Sequence, residues 1–207
     1  MDTGCGRNIV ETWGPVADVF APEQGGEEYE LDTAIKNLGY DIKDVKKVIM
    51  GHLHLDHAGG LTYFTGTDTE IWVHKIELEN AFYSAATKAD SAVYMAHYLQ
   101  LSLNWKCFTG QTYDFAPGLT IHHLPGHCLG LCGLQVNLQD TGTLIFLNDH
   151  AHIQENYDGS PPGWLVRDYQ AWFESNQRIK KLQKTTAAQV FPGHDLMVSK
   201  LYGKVWQ

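Results

Sequence analysis

The sequence contains no long hydrophobic run and no excess of positive charge. Its apolar stretches fall far short of the roughly 20 residues that a membrane-spanning helix needs. Lysine and arginine together number 15 against 24 acidic residues, which gives a net charge of −9. A protein that binds nucleic acid normally presents basic surface to the phosphates, so this balance disfavours such a partner. We therefore expect that this chain binds neither a membrane nor a nucleic acid.

Cysteine is also scarce, with four residues in 207. Cys5, Cys107, Cys128 and Cys132 are scattered through an ordinary composition, so we interpret them as free buried thiols rather than a disulfide framework. Free thiols are typical of a reducing compartment, and we expect a cytoplasmic protein. The length and the 43% hydrophobic fraction suit one globular domain over residues 1–207.

Histidine, by contrast, is concentrated in one short stretch. His52, His54, Asp56 and His57 lie within six residues, and Ala58-Gly59-Gly60 follows directly. The apolar segment before them predicts a strand and the segment after them predicts a helix, so these side chains lie on a connecting loop. Imidazole and carboxylate groups suit zinc, and also iron or manganese. Because the four side chains can face two ways, one loop can serve two adjacent metal ions.

The pattern His-x-His-x-Asp-His followed by Ala-Gly-Gly resembles the signature of the metallo-β-lactamase superfamily. The resemblance implies an α/β fold, the four-layer αββα sandwich, around a dinuclear metal centre. Further family motifs are present in Pro125-Gly126-His127, in Asp149 after an apolar strand, and in Gly193-His194-Asp195. Two zinc ions are the implied cofactors, with iron or manganese as alternatives.

The resemblance also assigns ligands to the two metal ions. It implies His52, His54 and His127 for the first ion, Asp56, His57 and His194 for the second, and Asp149 as the bridge between them. One departure from the family is Asn148, which precedes the bridging aspartate where glycine or another small residue is usual.

The segment Asp2-Thr3-Gly4 resembles a turn that, in this family, follows an early β-strand and lies beneath the metal site. Almost nothing precedes this turn here. We therefore expect that the first strands of the N-terminal sheet are missing and that the natural protein is longer. The alternative is that Met1 is the true start and that the chain begins in a loop.

Other patterns predict the elements around these motifs. Residues 7–29 predict an irregular loop, and a helical insert is expected around 75–103, made of helices over 74–88 and 91–103. Tyr94 and Tyr98 of this insert are interpreted as core residues, although such aromatic side chains can also wall a substrate site. Strands are predicted over 118–124, 131–138, 143–147 and 188–191, and an amphipathic helix over 168–184.

Within the superfamily, the chain most resembles the N-acyl homoserine lactonase branch. The shared features are His-Leu-His-x-Asp-His-Ala-Gly-Gly and the later Gly-His-Asp. That branch often has a tyrosine three residues after the bridging aspartate, where it contacts the substrate carbonyl, and here that position is His152. An imidazole can donate a hydrogen bond to a developing oxyanion, so His152 is one candidate donor and Tyr157 is a second. The other interpretation of His152 is a simple loop residue.

The resemblance implies a hydrolase that opens a cyclic ester of a small molecule by attack of a metal-bridging hydroxide. Asp56 is expected to pass a proton to the leaving atom. One alternative is hydrolysis of a lactam, a thioester or another small carbonyl compound. Another is a truncated relative that binds zinc without activity. The sequence leaves open whether the chain acts alone or as a homodimer.

Overall fold

A computed structural model of the chain describes residues 1–19, 30–201 and 203–207. The chain divides into two compact units, Met1–Cys107 and Phe108–Gln207, and each has its own hydrophobic core. The expectation of a single domain over residues 1–207 stays a prediction. Within the described residues, no helix has the length and apolar character needed to cross a membrane.

The first unit contains short helices and a three-stranded sheet. The helices are α1 (Ile9–Trp13), α2 (Leu31–Asn37), α3 (Leu55–Ala58) and α4 (Lys75–Thr87), with 3-10 turns at Gly14–Asp18, Ile42–Asp44 and Gly59–Phe64. The strands are β1 (Lys47–Ile49), β2 (Glu70–His74) and β3 (Asn104–Phe108), in that spatial order. β1 and β2 run parallel, with Val48 opposite Ile71. Both residues are buried, so this pair joins the sheet to the core of the unit.

Two sequence predictions for this unit are wrong in part. The predicted loop over 7–29 contains α1 and a 3-10 turn, and its segment 20–29 lies outside the described residues. The predicted helix over 74–88 is confirmed as α4, whereas residues 91–103 form turns instead of the second helix.

The tyrosines whose spacing suggested that second helix explain why it does not form. The Tyr98 hydroxyl accepts a hydrogen bond from Met95 N at 3.1 Å and lies 3.0 Å from the carbonyl oxygen of Val93. A helix would need both of these backbone groups for its own hydrogen bonds. The side chain therefore holds the segment in turns, and burial of Tyr94 and Tyr98 satisfies the apolar pattern without a helix.

The residues before Cys5 pack directly against the loop that follows the histidine motif. Thr3 N donates to the carbonyl oxygen of His57 at 2.8 Å, and Gly60 N donates to that of Gly4 at 3.2 Å. A Cβ atom on Gly59 would lie 1.9 Å from the Cys5 carbonyl oxygen, and one on Gly60 would lie 2.2 Å from the Thr3 carbonyl oxygen. The two glycines are therefore required for close packing of two backbone segments.

The second unit is built on a five-stranded sheet. Its strands are β4 (Thr112–Ala116), β5 (Leu119–His123), β6 (Cys132–Leu138), β7 (Gly142–Phe146) and β8 (Gln189–Phe191), in that spatial order. β4 to β7 pair antiparallel, and β8 pairs parallel to β7. Its helices are α5 (Gln154–Asp158), α6 (Tyr169–Thr186) and α7 (Leu196–Ser199), with 3-10 turns at Asn148–His150 and Gly163–Leu165. The four strands and the long helix predicted for this region are confirmed.

Helix α6 fixes two loops of the second unit. Asp168 caps its start by accepting a hydrogen bond from Ala171 N at 2.9 Å. Trp172 Nε1 donates to the carbonyl oxygen of His150 at 2.8 Å, and Ser175 Oγ donates to that of Pro125 at 3.0 Å. The helix thereby holds the loops that carry the family motifs after β5 and after β7.

The four cysteines are free, as predicted. Cys128 and Cys132 are buried, Cys5 is partly buried and Cys107 is exposed, so the expectation of burial is wrong for Cys107 and holds only in part for Cys5. Burial, reinforced by the nearby Asp56 carboxylate, raises the pKa of the Cys5 thiol to about 11. With this pKa, the Cys5 thiol is mostly protonated at neutral pH.

Candidate metal centre

In the first unit, four potential metal ligands form one cluster on the loop after β1 and in α3. His52 and His54 precede α3, and Asp56 and His57 lie in its only turn. The His52 ring contacts the His54 ring at a centroid distance of 4.5 Å and the His57 ring at 4.1 Å. The three histidines are buried, and the Asp56 side chain is one-third exposed. This concentration of imidazoles beside a carboxylate is typical of a metal site.

The tautomer of His57 is set by Asp2. His57 Nδ1 lies 3.0 Å from Asp2 Oδ2, and Asp2 Oδ1 accepts a hydrogen bond from Gly51 N at 2.6 Å. With its proton on Nδ1, neutral His57 presents the lone pair of Nε2, which lies 3.3 Å from Asp56 Oδ2. A lone pair that faces a carboxylate is favourable only when a cation, either a proton or a metal ion, lies with them. The donor set therefore fits a metal ion.

In the second unit, three histidines surround the buried carboxylate of Asp149. The Nε2 atoms of His152 and His127 lie 3.2 and 3.5 Å from its Oδ2, and that of His194 lies 3.1 Å from its Oδ1. Asp149 is 3% exposed, so its charge is costly without compensation. The ligand atoms of His127, Asp149 and His152 lie within 4.8 Å of one another, which is a second arrangement that fits a metal ion.

His127 is held in the same tautomer as His57, with its proton on Nδ1. His127 Nδ1 donates to the carbonyl oxygen of Leu165 at 2.7 Å, which leaves the Nε2 lone pair facing the Asp149 carboxylate. A backbone carbonyl behind a ligand histidine is a common way to orient a metal-binding ring. Sequence patterns did not identify Leu165, because only its backbone takes part.

The loop around His127 depends on Gly126. Its φ angle is 144°, and a Cβ atom there would lie 2.5 Å from Cα of Trp172 in α6. The carbonyl oxygen of Gly126 accepts hydrogen bonds from Arg167 N and Asp168 N at 2.8 and 3.0 Å. The start of α6 thus fixes the turn that presents His127.

Asn148 and Gly193 position the other two family ligands of this unit. Asn148 has a φ angle of 54°, in the left-handed region that asparagine tolerates better than most residues, and its Oδ1 accepts from Asp149 N at 2.8 Å. This explains how asparagine replaces the small residue that is usual before the bridging aspartate. A Cβ atom on Gly193 would lie 2.8 Å from the Asn148 backbone, so glycine lets the chain bring His194 close to Asp149.

The two candidate oxyanion donors occupy different places. His152 lies in the Asp149 cluster, and its ring stacks on that of His194 at 5.3 Å with an interplanar angle of 18°. The Tyr157 hydroxyl donates to Gln183 Oε1 of α6 at 2.7 Å, and its ring belongs to the hydrophobic core. The Tyr157 hydroxyl is thus engaged in packing against α6, whereas His152 lies among the proposed ligands.

Comparison with known proteins gives the family. The model of the metallo-β-lactamase superfamily matches residues 16–194, and the chain belongs to this superfamily. N-acyl homoserine lactonase AiiA of Bacillus thuringiensis subsp. kurstaki is 29% identical over 97% of this chain and 77% of its own length. N-acyl homoserine lactonase AttM of Azorhizobium caulinodans is 31% identical over 92% of this chain and 75% of its own length.

A solved structure supports the same assignment. An N-acyl homoserine lactone hydrolase, with the product N-hexanoyl-L-homoserine bound at its catalytic metal centre, superimposes with a TM-score of 0.80 at 29% identity. The match covers 96% of this chain and 77% of that one. The predicted α/β metallo-β-lactamase fold, the resemblance to the lactonase branch and the hydrolase class are thereby confirmed.

Proposed function

We propose that this chain is a dinuclear metal-dependent lactonase. The observation that carries the proposal is the pair of histidines, His57 and His127, whose Nε2 lone pairs each face a carboxylate. Both rings are held in that tautomer from behind, by Asp2 and by the Leu165 carbonyl group. The relatives AiiA and AttM match most of this chain and are N-acyl homoserine lactonases. Their names support a lactone as the substrate.

The proposed ligand set is the one that the family resemblance implied. One ion would be held by His52, His54 and His127. The other would be held by Asp56, His57 and His194, and Asp149 would bind both ions. This nitrogen- and oxygen-rich set suits zinc, with iron or manganese as alternatives. When bound, two such ions acidify a water molecule and polarise a carbonyl group. A small-molecule substrate is further supported by the products bound in the solved structures of relatives.

Two side chains of this chain are proposed to act on the substrate. His152 would donate a hydrogen bond to the oxygen of the opening ester, where negative charge develops. Asp56, whose side chain is one-third exposed, would pass a proton to the leaving alcohol oxygen. His152 replaces the tyrosine that is usual in the lactonase branch, so its imidazole would supply the N–H in place of a phenol.

The experiment that tests the proposal compares matched rings. The zinc-loaded protein is assayed on lactones of varied ring size and acyl chain, and on lactams of the same ring size. We expect ring opening of lactones with a higher kcat/KM than that of the matched lactams. Activity on lactams alone would replace this proposal by the lactamase alternative. Full zinc loading without activity on either panel would favour a zinc-binding relative without activity.

The choice between His152 and Tyr157 gives a separate prediction. His152→Ala is expected to lower kcat for lactone opening about 100-fold, the usual loss for one oxyanion donor. Tyr157→Phe removes only the hydrogen bond to Gln183, and we expect its kcat to stay within about threefold of the original while stability falls by roughly 1 kcal/mol. Steady-state kinetics and thermal melts of the two variants measure both effects.

Zinc content must be measured on the same samples. If His152→Ala retains both metal ions and loses activity, the donor role is supported. If it loses a metal ion, His152 is a ligand instead. A larger loss of kcat in Tyr157→Phe than in His152→Ala would contradict the assignment.

A further inference from the structure

Leu53 lies between the two proposed ligands His52 and His54, and side chains from the following segment hold both of its backbone polar groups. Leu53 N donates to Glu77 Oε1 at 2.9 Å. The Tyr98 hydroxyl lies 2.8 Å from the Leu53 carbonyl oxygen and donates to it. Both peptide groups that flank Leu53 are thus fixed by hydrogen bonds from outside the loop.

Glu77 also connects Leu53 to the proposed ligand His54, through the side chain of Tyr94. Its side chain is on the inner face of α4 and is fully buried, at 0% exposure. The same Oε1 atom accepts a hydrogen bond from the Tyr94 hydroxyl at 3.0 Å, and the Tyr94 ring packs edge-on against the His54 ring at 4.8 Å. A buried carboxylate is costly unless hydrogen bonds satisfy it, so these contacts are expected to hold tightly.

Glu77, Tyr94 and Tyr98 are called here the Leu53 clamp. Residues at alternate positions of an extended segment point to the same side, so the orientation of the intervening peptide groups sets the distance between His52 and His54. The clamp fixes those peptide groups from two directions.

We propose that the Leu53 clamp positions the His52 and His54 imidazoles for metal binding. This inference rests on the proposed function, since it concerns the same metal centre. Groups that orient ligands from behind typically change metal affinity about 10- to 100-fold when they are removed. The clamp residues are positioning residues, because they contact the ligand segment and not the substrate.

The test measures metal binding in conservative variants of the full chain. Tyr98→Phe removes the hydroxyl that bonds to Leu53, and Tyr94→Phe removes the bond to Glu77 while keeping the ring against His54. Tyr63→Phe is the matched control, because its hydroxyl also bonds to a glutamate, Glu30, at 3.4 Å, and Glu30 is outside the histidine segment 52–57. Cobalt titration, followed by the visible absorption of the bound ion, and competition with a zinc chelator report the affinity.

We expect Tyr98→Phe and Tyr94→Phe to lower zinc affinity about 10- to 100-fold and to shift the cobalt spectrum at saturation, with Tyr63→Phe unchanged. The spectrum at saturation reports ligand geometry in folded, loaded protein, so a general loss of stability does not produce this result. Glu77→Gln keeps an oxygen acceptor for Leu53 N and is expected to retain more affinity than Glu77→Ala.

Two outcomes separate this inference from the proposed function. If the unmodified chain binds cobalt, and the clamp variants bind it with the same affinity and the same spectrum, the clamp inference is overturned and the proposed function stands. If the unmodified chain binds no cobalt or zinc, the proposed function is overturned and the inference is overturned with it.

Discussion

Replacing Asp149 with asparagine is expected to lower kcat/KM for lactone opening about 1,000-fold or more. A metal centre contributes several kcal/mol of charge stabilisation in the transition state. A change of about 1.4 kcal/mol in the activation free energy changes the rate tenfold. Asp149 is the carboxylate around which three histidine Nε2 atoms lie at 3.1 to 3.5 Å. The asparagine keeps the shape but removes the negative charge that would compensate two cations. Steady-state kinetics, with zinc content measured on the same variant, test this.

Asp140→Asn provides the matched control. Asp140 is exposed in the turn between β6 and β7, so the same chemical change there is expected to leave kcat/KM within about twofold. An Asp149→Asn enzyme with original activity and full zinc content would contradict the bridging role of Asp149.

Removal of the metal ions is expected to lower the melting temperature by roughly 8–16 °C. A ligand present at about 1,000 times its Kd stabilises the folded state by about 4 kcal/mol, and in a chain of this size each kcal/mol is worth about 2–4 °C. The physical reason is that buried carboxylates and imidazoles lose the cations that compensate them. Thermal melts with and without a strong chelator measure the shift.

Two controls show whether the shift comes from the metal centre. Restoring zinc after the chelator is washed out is expected to return the original melting temperature. Asp149→Asn, which lacks the proposed bridge, is expected to show a smaller shift with the chelator. An unchanged melting temperature in chelated protein would contradict metal-linked stability.

The candidate metal centre could be proposed from sequence because its chemistry is concentrated in short motifs. Four of the proposed ligands lie within six residues at His52–His57, and the others follow Pro-Gly or a buried apolar strand. The first four residues indicate a metal site by their type and spacing alone, whereas His127, Asp149 and His194 were assigned through the resemblance to the metallo-β-lactamase superfamily. Four of the five strands of the second unit were predictable for a similar reason, since their apolar runs end at turn residues, whereas β4 was not predicted.

Packing between distant segments was not predictable in the same way. Gly59 and Gly60 are part of the family pattern, and the structure shows that they are needed because residues 3–5 pack on them. Tyr98 followed a helical spacing, yet its hydroxyl bonds to Leu53, 45 residues away along the chain. Contacts of this kind depend on tertiary structure that no local pattern contains.

Glu77 is an intermediate case. Together with Ala81 and Ser84 it forms the buried face of α4, so a glutamate on a small-residue stripe was a visible signal of a buried charge. Its partners, Leu53 and Tyr94, lie 24 and 17 residues away, and the spacing gave no means to identify them. The residue type and its neighbours on the helix indicated a buried charge, but they did not indicate which residues it contacts.

The most direct test of the central claim is to measure metal content and lactone opening on one preparation of the purified chain. Elemental analysis by mass spectrometry gives the ions per chain, and a pH-sensitive assay of ring opening gives the rate. We predict two zinc ions per chain together with hydrolysis of N-acyl homoserine lactones. An active preparation that holds less than one metal ion per chain would contradict the dinuclear metal centre.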